Sequence, residues 1–266
     1  MSRTLPLQLR VEDLCLGYGA TRIVHHVTAT LKTGRFTAII GPNGCGKSTL
    51  LRALARLSQP QSGHVYLDKE ASNKWKPKDY ARQVALLSQE ATAPSGITAA
   101  QLVGRGRFPH QGMFRQWTAR DEEVVTQALA ATGALELSTQ RVSDLSGGQR
   151  QRVRVATTLA QEAPILLLDE PTTFLDITHQ VDLLDLFAQR SQAGDTVIAV
   201  LHDINQAIRY ADELIVMEAG RIVAQGPPSE VVSAALLGDV FSVNAQIHAD
   251  PVTHGPMMVT VPSATV

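Results

Sequence analysis

The 266-residue chain is predicted to be an α/β protein: a parallel sheet joined to an antiparallel β subdomain and an inserted α-helical subdomain. Three observations predict this. Four short, continuous apolar runs, each followed by polar residues, have the form of strands covered on both faces. Two earlier segments alternate apolar with polar residues, as half-buried antiparallel strands do. A long, mostly helical stretch separates the second apolar run from the third.

From Leu7 to Tyr18 the alternation places Leu7, Leu9, Val11, Leu14 and Leu16 on the apolar positions, and Ile23 to Leu31 partly repeats it. The four continuous runs are Phe36 to Ile40, Val84 to Leu87, Ile165 to Leu168 and Val197 to Leu201. They end at Gly41, Ser88-Gln89, Asp169-Glu170 and His202-Asp203. Ligands collect at the carboxyl ends of parallel strands, so these endings mark a candidate site before any motif is named. Leu50, Leu51, Leu54 and Leu57 are expected on one face of a helix after the first run. Thr118 followed by Asp121 reads as a capping box before Val124, Val125, Ala128 and Leu129. Leu214 to Met217, Gly220 and Ile222 to Ala224 read as two strands around a tight turn. The last stretch, Phe241 to Val266, holds Pro251, Pro256 and Pro262 and reads as loop with short strands. The expectation is one domain over residues 1–266, with the helical subdomain at about 92–162 and a C-terminal extension at about 241–266.

Composition narrows the function classes. The chain carries 24 basic and 25 acidic residues, a formal charge of −1, so the long-range pull on a polyanion is absent and a general nucleic-acid binder is disfavoured. No apolar run approaches the roughly 18 residues that span a bilayer. Met1 to Arg10 offers no signal-peptide core, which leaves the cytoplasm as the expected compartment. Cys15 and Cys45 form neither a metal-ligand spacing nor a disulfide framework.

Gly41-Pro42-Asn43-Gly44-Cys45-Gly46-Lys47-Ser48-Thr49 fits the phosphate-loop pattern, placed between an apolar strand and a helix. Glycines let backbone N–H groups curl around phosphates, and the helix N-terminus adds partial positive charge. In such a loop Lys47 reaches the β- and γ-phosphates and the Ser48 hydroxyl ligates Mg²⁺. The run Ile165 to Leu168 ends in two carboxylates; Asp169 is assigned to the Mg²⁺ shell and Glu170 to polarising the attacking water. Leu145-Ser146-Gly147-Gly148-Gln149 precedes a helix-like run from Arg150 to Gln161 and could present N–H groups to an anion. Taken alone it reads as a serine cap followed by flexible glycines.

The set as a whole resembles the ABC ATPases, from about residue 7 to residue 225. Leu145 to Gln149 matches the family signature, Tyr18 the aromatic that stacks on adenine, Gln89 the Q-loop glutamine, Phe174-Leu175-Asp176 the D-loop and His202 the switch histidine. Each of these has a plain structural reading when alone; together they follow the family order. The resemblance implies an ABC-type P-loop ATPase with a RecA-like parallel-sheet core, ATP and Mg²⁺ as cofactors, Gln89 at the metal with Ser48 and Asp169, and Asp176 at the nucleotide. It also implies a head-to-tail homodimer in which each ATP lies between one chain's phosphate loop and the other chain's Leu145 to Gln149.

With one cassette and no membrane span, the chain resembles the separate ATPase subunit of a bacterial importer. Such a subunit works on the cytoplasmic face of the inner membrane, beneath two integral permease chains fed by an external binding protein. Gly104-Arg105-Gly106-Arg107-Phe108-Pro109-His110-Gln111 and Asp169 to Gln180 look like the ATPases of iron(III)–siderophore uptake, and the loop Gly41 to Thr49 is similar to that of the ferric enterobactin importers. Phe108 departs from a tyrosine common in those relatives. On this reading Gly104 to Gln111 is a basic stretch that meets a permease helix with Phe108 as anchor; its plain alternative is a solvated loop. Cobalamin, haem or another metal chelate is the alternative cargo. A non-transport ABC protein acting on nucleic acid is the rival from another class, distinguished by tandem cassettes or long coiled coils, neither of which this sequence shows.

Overall fold

The computed structural model describes residues 7–19, 21–88, 96–112 and 116–262. In chain order the first elements are β1 (Leu9–Tyr18), β2 (Thr21–Thr30), β3 (Phe36–Ile40), α1 (Lys47–Leu54), β4 (Ser62–Leu67), β5 (Glu70–Ala71), α2 (Pro77–Ala81) and β6 (Val84–Leu87). The helices α3 (Ala99–Gly104), α4 (Ala119–Ala131) and α5 (Gly147–Ala160) follow. The chain then returns through β7 (Ile165–Asp169), α6 (Ile177–Gln192), β8 (Thr196–Val200), α7 (Ile204–Tyr210), β9 (Glu213–Glu218) and β10 (Arg221–Gly226). It closes with α8 (Pro228–Val231), α9 (Ala234–Phe241), β11 (Ala245–Ala249) and β12 (Pro256–Thr260).

The central sheet has the order β10-β9-β3-β8-β7-β6, and every neighbouring pair except β10–β9 is parallel. Alternation along each strand sends side chains to two separate cores. Phe36, Ala38 and Ile40 of β3 join Leu166, Leu168, Val197 and Ala199 on one face; Ile39, Ile165, Leu167, Ile198 and Val200 lie on the other. The first face packs α5, α6, α7 and the helical segment, and the second packs α1 and the antiparallel sheet β2-β1-β4-β5. Covering on both faces is why these strands read as unbroken apolar runs.

The sequence is locally consistent with these elements. Thr98, Thr118 and Ser146 each cap a helix through a reciprocal capping box with Gln101, Asp121 and Gln149. One expectation fails at α1, which ends at Leu54; Leu57 lies past the turn and is 63% exposed. Arg56, with φ of 62°, reverses the chain there and carries Leu57 off the helical face. A second correction concerns Gly104 to Gln111. Arg107 does not contribute to a basic surface: it is 4% exposed, bonded to Asp121 (2.9 Å), Glu162 (2.7 Å) and the Ala160 carbonyl (2.8 Å). A buried guanidinium requires such partners. Phe108, its neighbour, points outward.

Candidate active site

The strands β3, β6, β7 and β8 run parallel, so Gly41, Ser88, Asp169 and Leu201 lie at or just past their ends along one edge of the sheet, where a ligand crevice is expected. Gly41 has φ of 154°, and a Cβ there would stand 2.1 Å from the Met217 carbonyl oxygen. Only glycine lets the loop turn this close to β9. Gly46, at φ of 102°, occupies the N-cap of α1 with no side-chain cap, so the first N–H groups of the helix are left to a ligand. Lys47 Nζ donates to the carbonyls of Gly41 (2.7 Å) and Pro42 (2.9 Å) and is 6% exposed. An ammonium held on neutral oxygens inside a loop of open N–H groups suits a polyphosphate. Asn43 and Gly44 form the exposed tip, and Thr49 lies half-buried in the first turn of α1. Cys45 is buried with its sulfur 3.9 Å from Lys47 Nζ, and burial raises its thiol above the usual range despite the lysine.

Beneath the loop, Ser48 Oγ donates to Asp169 Oδ1 at 2.8 Å. Burial pushes the Asp169 carboxyl up; the Ser48 hydrogen bond opposes this and the neighbouring Glu170 adds to it. Glu170 adopts φ of 51°, the left-handed turn that ends β7. That turn answers the alternation problem: two consecutive acids serve one crevice because the strand stops between them. Glu170 Oε1 meets His202 Nε2 at 2.6 Å, and Thr173 Oγ1 donates to Glu170 Oε2 at 3.3 Å. Among the described residues no three His, Cys, Asp or Glu converge as a metal cage. The hydroxyl–carboxylate pair Ser48–Asp169 instead offers the few hard oxygen ligands that Mg²⁺ takes when phosphates and water supply the rest.

Ser146 is exposed and caps α5, with Gln149 Oε1 accepting from its N–H at 2.9 Å. A Cβ on Gly148 would lie 3.0 Å from the Phe174 carbonyl oxygen and one on Gly147 3.4 Å from Phe174 Cβ, so this end of α5 packs on the segment before α6. Asp176 caps α6, accepting from His179 N–H (2.9 Å) and Nδ1 (2.7 Å). Those bonds hold its carboxyl below the usual range. Tyr18 ends β1 and is 57% exposed. Gln89 lies outside the described residues.

Sequence reasoning missed two residues of α5. Gln151 donates to the Pro171 carbonyl at 2.9 Å, and Arg154 donates to the Ser88 carbonyl. They bind the helix that begins at Ser146 to the backbone beside Glu170 and to the end of β6. Their i,i+3 spacing on one helical face was the available signal.

The family described as ABC transporter matches residues 24–173. The chain is 52% identical to the ferric enterobactin transport ATP-binding protein FepC of Escherichia coli, covering 95% of this chain and 93% of the relative. It is 47% identical to the petrobactin import ATP-binding protein FpuD of Bacillus anthracis, over 94% and 92% of the two chains. Among solved structures, an inward-facing metal-chelate type ABC transporter superimposes with a TM-score of 0.80 at 25% identity, covering 96% of this chain and 98% of its own. A post-hydrolysis ATP-binding cassette dimer bound to ADP and Pi gives 0.74 at 26% identity, covering 82% and 98%. A crevice with an open phosphate loop at one strand end and paired carboxylates at another, on a fold shared this extensively, makes the chain a member of the ABC transporter ATP-binding family.

Proposed function

We propose that this ABC ATPase energises import of iron(III)–siderophore complexes through a partner membrane permease. The observation that carries the cargo is the extent of its likeness to siderophore-system subunits, 52% and 47% identity along nearly the whole chain. Relatives named for hemin and cobalamin import stand lower, at 38% and 36%.

In this reading Gly41 to Thr49 holds the phosphates, and Lys47 exchanges its two carbonyl partners for phosphate oxygens. Charge-assisted bonds to the anion are the stronger ones, which drives the exchange. Ser48 and Asp169, with Gln89, would hold Mg²⁺, which would supply neutralisation of phosphate charge. Glu170 orients the attacking water and takes its proton. His202 holds the Glu170 carboxylate in place and stands ready for the γ-phosphate. Tyr18 stacks on the adenine. Ser146 to Gln149 of a second copy closes over the nucleotide, with Asp176 at the seam. The exposed position of Ser146 and Gly147 supports that reading, since the Ser146 hydroxyl accepts from Gln149 N–H in capping α5 and still has its own O–H to donate to a second chain's ligand. Closing on ATP and releasing after hydrolysis then converts ligand binding into movement of the attached permeases.

Among the described residues no helix is long and apolar enough to cross a membrane, so the two permease chains supply the path. A groove of about 740 Å³ lined by Gly104, Arg105, Phe108, Trp117 and Val125 is the face offered to them. The subunit then sits peripherally on the cytoplasmic side, and an external binding protein delivers the chelate. The test is ATPase activity of the purified membrane complex with its binding protein. Stimulation by iron(III)–siderophores, and not by haem or cobalamin, supports the proposal; the reverse pattern overturns the cargo.

A further inference from the structure

The helix after His202 is held from outside by the far C-terminus. α7 starts two residues past His202 and buries Ile204, Ala207 and Ile208 against the core. Its other face carries Asn205 and Arg209, one helical turn apart, and both engage the β11–β12 hairpin. Asn205 Nδ2 donates to the Met258 carbonyl at 3.0 Å while its Oδ1 accepts from the Met258 N–H at 2.9 Å, so one side chain answers both main-chain groups of a strand residue. Arg209 donates through Nη2 (2.5 Å) and Nε (3.1 Å) to Asp250 Oδ2. Asp250 Oδ1 meanwhile accepts from the N–H groups of Val252 (2.8 Å) and Thr253 (3.2 Å), which sets the hairpin turn. Arg209 and those two N–H groups hold the Asp250 carboxyl down to about 2, so the pair stays charged at neutral pH. α7 also reaches α6: Gln206 donates to Gln180 Oε1 at 2.8 Å, and Gln180 donates to the Leu175 carbonyl at 3.0 Å, beside Asp176.

Neither partner is stable alone. A seven-residue helix is marginal in water, as is a two-stranded hairpin. Each is ordered by docking on the other and on the core, where Ile247 and Met258 also pack. We infer that the C-terminal hairpin positions His202 for hydrolysis, acting through Asn205 and the Arg209–Asp250 pair. The inference rests on the role proposed above for His202. The phosphate loop carries nucleotide affinity and lies on another strand end, so loosening α7 displaces His202 from Glu170 while leaving binding in place. Small displacements of a reacting constellation cost rate steeply.

The test uses the full-length chain with Asn205→Ala, Arg209→Gln, the conservative Arg209→Lys, and His202→Ala as reference. Steady-state ATPase, thermal unfolding and the His202 ring resonances in ¹H–¹⁵N spectra are read together. Asn205→Ala and Arg209→Gln are expected to lower kcat about tenfold with KM for ATP within about twofold, and to shift the His202 ring signals. Arg209→Lys is expected to retain most of the rate. Wild-type kcat and unmoved ring signals in Asn205→Ala and Arg209→Gln, with His202→Ala slow, overturn the inference even where the melting temperature falls. Wild-type turnover in His202→Ala overturns the role of His202 itself, and the inference with it. Asn205→Ala removes only an amide from a half-buried position, so it remains informative if an Arg209 variant folds poorly.

Discussion

His202 Nε2 and Glu170 Oε1 stand 2.6 Å apart, joining the ends of two adjacent parallel strands. The left-handed turn at Glu170 aims its carboxylate across that strand boundary, and Thr173 holds the second oxygen. Glu170 is therefore oriented by groups of its own chain. Glu170→Gln keeps the shape and removes the carboxylate proposed as the base. Turnover is expected to fall about 10²- to 10⁴-fold while ATP binding persists, with a nucleotide-bound dimer accumulating. Single-turnover hydrolysis and size-exclusion chromatography check both; an unchanged rate removes Glu170 from the reaction.

Lys47 supplies the buried positive charge of the loop. Lys47→Ala is expected to weaken ATP affinity about ten- to a hundredfold, the worth of one or two charge-assisted hydrogen bonds, measured by isothermal titration. Normal affinity would mean that the phosphates bind elsewhere.

Asp169 gives a pH dependence with a definite sign. Its raised pKa means the folded protein binds this proton more tightly than the unfolded chain does, so stability from this group falls as pH rises through the interval above about 3.9. Asp169→Asn, which can still accept the Ser48 hydrogen bond, is expected to melt higher than wild type at pH 7. The gap closes on acidification below that interval. Melting curves of both proteins from pH 7 down to about pH 3 decide it; an equal or lower melting temperature for Asp169→Asn at pH 7 contradicts the claim that burial strains the carboxylate.

Ser146 is exposed at the start of α5. Ser146→Arg adds bulk and charge at an exposed position and removes the side-chain cap of α5, so the monomer should lose about 0.5–2 kcal/mol of stability and stay folded while ATP-dependent dimerisation is lost. Light scattering with a Glu170→Gln background measures this. A dimer that still forms with ATP rules out the shared site.

Gly106 packs against α5 so closely that a Cβ would lie 2.3 Å from the Thr157 carbonyl oxygen. Gly106→Ala should destabilise the fold by about 1–3 kcal/mol through overpacking against backbone that cannot yield. Denaturant titration checks it, and a shift below about 0.5 kcal/mol would mean that α5 and this turn separate easily.

Some of this was readable because its causes are local. The phosphate loop's lysine contacts lie within six residues of Lys47, and glycine placement dictates the turn, so order along the chain carries the geometry. The same holds for the capping boxes of α3, α4 and α5, each closed within three residues. Leu57 was misread because apolar spacing persists past a helix end that Arg56 imposes through backbone conformation. Arg107 was misread because its partners, Asp121 in α4 and Glu162 just past the end of α5, come from distant parts of the chain, and a charge pattern does not show whether its neighbours in space will bury it.

By itself the sequence determined the strands and the polar residues that follow them, because each depends on periodicity and on neighbours a few positions away. Only the tertiary structure decided that His202 meets Glu170, that Ser48 meets Asp169, and that a proline-marked tail folds back as a hairpin onto α7. Those contacts join residues far apart in the chain, and hydrogen bonds between distant partners leave no periodic trace. They form because the parallel sheet brings its strand ends to one edge and the core fixes the helices that follow them.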